Sequence, residues 1–74
     1  MSTFAGAVEA LLLMATEPVP ASDLAEAVGV PTAEVEECLA ELAAFYDETG
    51  RGFELREVGG GWRYYTREEH ADVI

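Results

Sequence analysis

The residues of this chain that could do chemistry are carboxylates and arginines, and the sequence keeps them apart. The stretch "TAEVEECLAELAAFYDE", residues 32–48, carries Glu34, Glu36, Glu37, Glu41, Asp47 and Glu48 with no lysine or arginine. Arg51, Arg56, Arg63 and Arg67 all follow it. Paired carboxylates could act as general acid and base, but adjacent Glu36 and Glu37 point about 100° apart on a helix. His70 is the single histidine; no serine or cysteine motif accompanies it, and it reads as surface. Cys38 is the single cysteine, so neither an internal disulfide nor a CxxC metal pair can form. It falls on an apolar stripe and reads as a small core residue. "GGG" at 59–61 lacks the strand-to-helix setting and following lysine of a phosphate loop, and reads as a hairpin turn. Nothing in this pattern asks for catalysis, a metal or a cofactor.

Association with nucleic acid is the other chemistry that such residues could serve. Residues 32–48 follow a short helix and a glycine turn, where a helix-turn-helix protein places the helix that enters DNA. DNA affinity comes largely from neutralising phosphates. Each carboxylate–phosphate pair at ~8 Å in screened water opposes binding by a few tenths of a kcal/mol. Six such groups disfavour sequence reading by this helix. Arg56, Arg63 and Arg67 keep a weak backbone contact open, and with it the alternative of a DNA-binding winged-helix transcriptional regulator. Glu54, Glu57, Glu68 and Glu69 are interleaved with them, so cross-strand or local ion pairs are the simpler expectation.

Composition bounds the rest. Seventy-four residues make one small domain, which buries only ~60% of its unfolded surface and gains from association. Half the residues are hydrophobic and the net charge is −11, too apolar for a disordered chain. Residues 1–48 hold ten acidic and no basic side chains (−10); residues 49–74 hold five acidic side chains and four arginines (−1). An acidic surface disfavours nucleic acid and anionic membrane and suits a basic or apolar protein partner. "FAGAVEALLLMA" lacks a basic leader, contains Glu9 and is too short to span a bilayer. A cytoplasmic chain with no membrane contact is expected.

These residues must be positioned by a small set of elements. Residues 4–16 predict a helix ended by "EPVP", with Phe4, Val8, Leu11, Leu12 and Ala15 facing the core. Ala7, Ala10, Leu13 and Met14 lie on its far side. A helix apolar all round is buried on more than one side, which in so small a domain points to a second chain over Ala10, Leu13 and Met14. Ser22 is expected to cap a helix over 23–28 that Gly29 ends, and Thr32 to cap the third helix. Val35, Cys38, Leu39, Leu42, Phe45 and Tyr46 form that helix's buried stripe. "GFELREV" and "WRYYT" alternate about "GGG" and predict a β-hairpin, with Phe53 and Leu55 opposite Glu54 and Arg56 in the first strand and Trp62 and Tyr64 opposite Arg63 and Tyr65 in the second. "TREE" reads as a capping box, Thr66 the cap and Glu69 reaching back, opening a further helix. The chain stops barely two turns into it, as the leading part of a longer protein would. The fold class is α+β, mainly helical: a winged helix-turn-helix of three helices, a β-hairpin wing and the start of a fourth helix.

"VEALLLMATEPVPASDLAEAVGV" and "AEVEECLAELAAFYDETGRGFELREVGGGWRYYTREEHADVI" closely resemble the first winged-helix domain of the ScpB family, segregation and condensation protein B. The most specific stretch is "GRGFELREVGGGWRYYTR", which matches the family's wing strand at Gly50 to Val58 and its following aromatic at Trp62. Three consecutive glycines stand where the family's wing tip has Ala-Gly-Gly, and "YYTREEH" departs from its Leu-Arg-Thr-Arg-Pro run. The resemblance implies a non-catalytic subunit that homodimerises and binds the kleisin ScpA, and through it SMC, in chromosome condensation and segregation. It implies location in the cytoplasm, associated with the nucleoid through the complex. It also implies that residues 1–74 are one winged-helix domain, with the family's second winged-helix domain absent.

Overall fold

The structure is a computed structural model that describes residues 2–74. Three helices, α1 (Ala5–Met14), α2 (Ala21–Val28) and α3 (Thr32–Glu48), precede an antiparallel hairpin of β1 (Phe53–Val58) and β2 (Gly61–Thr66) and a 3₁₀ segment, Glu68–Val73. The winged helix-turn-helix order is as expected.

α3 is the hub. Val35, Cys38, Leu39, Leu42 and Tyr46 recur every three or four residues, so they share one face, and all are buried. Val8 and Leu12 of α1, Leu24 and Ala25 of α2 and Leu55 of β1 complete the core around them. Fully burying one such aliphatic side chain is worth ~1.5–3 kcal/mol. Ala5 is buried too, a contact absent from the expected stripe. Leu11 and Phe45, expected to face the core, are each 38% exposed, as is Phe53 of β1. They lie at the margins of their stripes, where a domain of this size has no second layer to cover them.

Prolines, not hydroxyls, start α2 and α3. Pro20 and Pro31 are the N-caps, and neither helix has a side-chain cap bond. The Pro20 carbonyl accepts from the Asp23 and Leu24 amides at 3.0 and 3.3 Å, and the Pro31 carbonyl from Glu34 and Val35 at 3.0 and 3.3 Å. Each ring fixes φ at a value the cap tolerates, so Ser22 and Thr32 fall inside the first turn rather than at the cap. At the other end of α2, Gly29 is left-handed (φ 76°), and the Gly29 and Val30 amides both reach Ala25 O. That closes the helix-turn-helix corner.

In the wing, Gly59 and Gly60 alone form the turn, with φ of 55° and 81°, the positive values a type I′ turn needs at both central residues. Gly61 belongs to β2 and pairs with Val58. A Cβ on Gly61 would sit 2.8 Å from the Pro18 carbonyl carbon, so the loop after α1 presses directly on the wing. Val19 and Trp62 exchange both backbone hydrogen bonds at 2.9 and 2.7 Å, adding a one-residue third strand to the sheet. Thr66 ends β2 and caps nothing. The Arg67 amide donates to Gly52 O and holds the chain extended past the expected cap. The fourth helix is consequently a 3₁₀ segment begun at Arg67, with no Thr66–Glu69 capping box.

Candidate interaction surfaces

The six carboxylates of α3 are all exposed on the side away from the core. Cys38 is buried in the core. His70 is exposed on the 3₁₀ segment, with Glu69 at 3.8 Å its nearest charge partner. Among the described residues no helix is long and apolar enough to cross a membrane.

α1 presents the apolar surface expected of it. Leu13 and Met14 are 75% and 83% exposed, and Ala7 and Ala10 are exposed beside them. Ala10, Leu13 and Met14 stand at i, i+3 and i+4, one patch on the helix surface. The opposite stripe, Ala5, Val8 and Leu12, is packed into the core, so the patch is carried on an anchored helix.

A second anchor was invisible to periodicity. The Tyr46 hydroxyl donates to Glu9 Oε2 at 2.5 Å and lies 2.8 Å from the Tyr64 hydroxyl. Tyr46 has one proton and gives it to the carboxylate, so Tyr64 donates to Tyr46. The relay joins α1, α3 and β2. Burial, reinforced by the bond to Glu9, raises the Tyr46 hydroxyl well above the ordinary phenol value, and burial raises Tyr64 also. Phe53 packs against both rings, 5.0 Å from Tyr46 and 5.4 Å from Tyr64 between centroids. The available signal was Glu9 itself, the one charge in an apolar run.

The wing separates the three candidate arginines. Arg67 is tied back: its guanidinium bonds Asp47 Oδ1 at 2.9 Å and also the Arg51 carbonyl. It thus joins the end of α3 to the base of the hairpin. Arg56 and Arg63 are cross-strand partners of one another. The cross-strand ion pairs expected with Glu54 and Glu57 do not form, because the register sets Glu54 opposite Tyr65 and Glu57 opposite Trp62. Both guanidiniums lie over the Tyr65 ring instead, 4.8 and 5.8 Å from its centroid.

With this geometry established, comparison with known proteins decides the family. A family model described as "Segregation and condensation complex subunit ScpB" matches residues 6–74. The chain belongs to the ScpB family. Segregation and condensation protein B of Moorella thermoacetica is 42% identical over 65 residues, spanning 88% of this chain and 33% of that protein. The protein of the same name from Syntrophotalea carbinolica is 45% identical over 67 residues, spanning 90% and 34%. The chain thus spans about a third of the length of these relatives. Among solved structures, ScpB from Mycobacterium tuberculosis superposes with a TM-score of 0.91 at 36% identity, covering 95% of this chain and 44% of that one. A dimer of the ScpB N-terminal domain complexed with ScpA peptide gives 0.88 at 31% identity, covering 93% and 86%.

Proposed function

We propose that this chain is a non-catalytic subunit of a bacterial chromosome segregation and condensation complex. In this reading it pairs with a second copy of itself through Ala10, Leu13 and Met14, and binds the kleisin ScpA and through it SMC. Its place is the cytoplasm, at the nucleoid through the complex, and residues 1–74 act as one winged-helix domain. The observation that carries the pairing is the solvent exposure of Leu13 and Met14 on a helix whose opposite stripe, Ala5, Val8 and Leu12, is packed into the core. Covering both side chains would contribute ~1.5–3 kcal/mol each, and an isologous pair would count them twice. The similarity to a domain solved as a dimer with ScpA peptide supports both partners. A DNA-binding regulator finds less support, because Arg67 is engaged by Asp47 and α3 turns six carboxylates outward.

Light scattering on the Leu13→Glu, Met14→Glu variant tests the surface. The expected result is monomer mass with an unchanged circular-dichroism spectrum; a persistent dimer with intact fold rejects the surface. Calorimetric titration with a ScpA central segment tests the partner. Saturable heat with two chains per segment is expected, and no heat at two temperatures removes ScpA from the proposal.

A further inference from the structure

Positive charge is scarce in this chain, and the outer face of the wing leaves two units of it unpaired. Strand alternation puts Glu54, Arg56 and Val58 of β1 on one face with Gly61, Arg63 and Tyr65 of β2. Like charges directly opposite in an antiparallel pair are destabilising, yet Arg56 stands opposite Arg63. Fifteen acidic side chains were available to compensate them. Among the described residues neither arginine enters an ion pair, whereas Arg67 does. Both remain exposed, with Tyr65 half-buried beneath them.

The stack on Tyr65 has a consequence for recognition. A guanidinium resting on an aromatic ring keeps its planar fork of donors free at the edge, where a carboxylate is met by two parallel hydrogen bonds. Because the ring restrains both side chains beforehand, less rotamer freedom is lost when an anion arrives. The strip is also short. Glu54 bounds it at the base, beside Tyr65, and Pro18 packed over Gly61 closes it at the turn.

We propose that the Arg56–Tyr65–Arg63 face docks a short acidic segment of a partner protein, seating neighbouring carboxylates on the two guanidiniums. Charge complementarity selects an anion, and the length of the strip selects among anions. A duplex carries a phosphate charge every ~1.7 Å of its axis and would run beyond the two arginines onto Glu54, against a molecule of net charge −11. A peptide with a few carboxylates needs only the strip. This site is separate from the α1 surface.

The test is fluorescence anisotropy with a labelled extended octapeptide bearing four glutamates, its glutamine counterpart, and a labelled duplex, all at one salt concentration. Saturable binding of the glutamate peptide is expected, weakened roughly tenfold or more in the Arg56→Gln, Arg63→Gln variant. The Arg56→Lys, Arg63→Lys variant keeps the charge, loses the fork and is expected to fall between. Glu54→Gln should tighten the peptide about twofold by removing a neighbouring like charge. The Leu13→Glu, Met14→Glu variant should bind it unchanged, which keeps this proposal distinct from the pairing of α1. Thermal melting checks that the arginine variants fold; relief of repulsion should leave the midpoint of the glutamine variant at or above the parent. Equal binding of the glutamate and glutamine peptides overturns the proposal, as does an arginine variant with undiminished affinity. Tighter binding of the duplex gives the face to nucleic acid. A drop in oligomer mass in the glutamine variant gives it to a second copy's carboxylates. Either of those results overturns the proposal too.

Discussion

α1 and α3 each bury one stripe, and they differ in what they turn to water. α3 packs Val35, Cys38, Leu39, Leu42 and Tyr46 inward and shows carboxylates outward. α1 packs Ala5, Val8 and Leu12 inward and shows Leu13 and Met14, with Ala7 and Ala10. Holding a helix in a fold requires a single apolar stripe. The second stripe of α1 is left in solvent in the isolated protomer, and under the proposed pairing its stabilising effect would come from association. The acidic face of α3, in the place of a DNA-reading helix, is left to solvent, with only the mild repulsion of like charges one turn apart, such as Glu37 and Glu41, set against it. The helix-turn-helix is here a packing unit.

The comparison breaks first on stability. Leu39→Ala removes a side chain that is 0% exposed and should destabilise the protomer by ~2–5 kcal/mol through lost transfer energy and a residual cavity. Met14→Ala should change protomer stability by no more than about 0.5 kcal/mol. Urea unfolding at a concentration low enough to keep the chain monomeric measures both. Similar losses at the two positions would mean that Met14 is packed within its own protomer, and the distinction between the helices would fail.

The joint between the helices comes next in size. Tyr46→Phe leaves Glu9 without its donor and Tyr64 without its acceptor, and should cost ~1–3 kcal/mol. It also has a pH signature. The hydroxyls of Tyr46 and Tyr64 are held above their ordinary value of 10.0 in the folded state. Their contribution is fully present below that value. It falls as pH rises past it, because the unfolded chain then releases protons that the folded chain retains. Urea midpoints from about pH 8 to about pH 11 should therefore drop more steeply for the parent than for Tyr46→Phe. Identical alkaline slopes would show that the relay does not hold α1 to α3.

Much of this organisation was legible in the sequence because it is periodic. The inner stripe of α3, the left-handed Gly29 and the alternating hairpin follow from spacing and residue type alone. The helix starts did not, because Pro20 and Pro31 supply the cap geometry one position before the nearest hydroxyl or alanine, and Ser22 and Thr32 are then only first-turn residues. Allotting all three glycines to the turn hid the register. With Gly61 in β2, Arg56 meets Arg63 instead of a carboxylate. The Glu9–Tyr46 bond joins residues 37 apart, and no local pattern carries a contact of that range. Leu13 and Met14 could be singled out because their burial was absent from the one stripe the core required.

The smallest effect belongs to the outer face of α3. Glu34→Gln with Glu41→Gln removes two negative charges from a chain of −11. Both side chains are exposed, so stability should change by no more than about 0.5 kcal/mol. Self-association should respond in the opposite sense to the α1 variants. Two copies of an acidic protomer repel one another over a Debye length of ~8 Å at physiological salt, and lowering the charge of each should tighten the pair modestly. That gain should disappear near ~1 M salt, where the screening length shrinks to about 3 Å. Sedimentation equilibrium at the two salt concentrations separates this from a direct contact. If neutralising Glu34 and Glu41 weakens the pair, and does so at both salts, their carboxylates are bonded across the interface. The outer faces of the two helices would then be one surface.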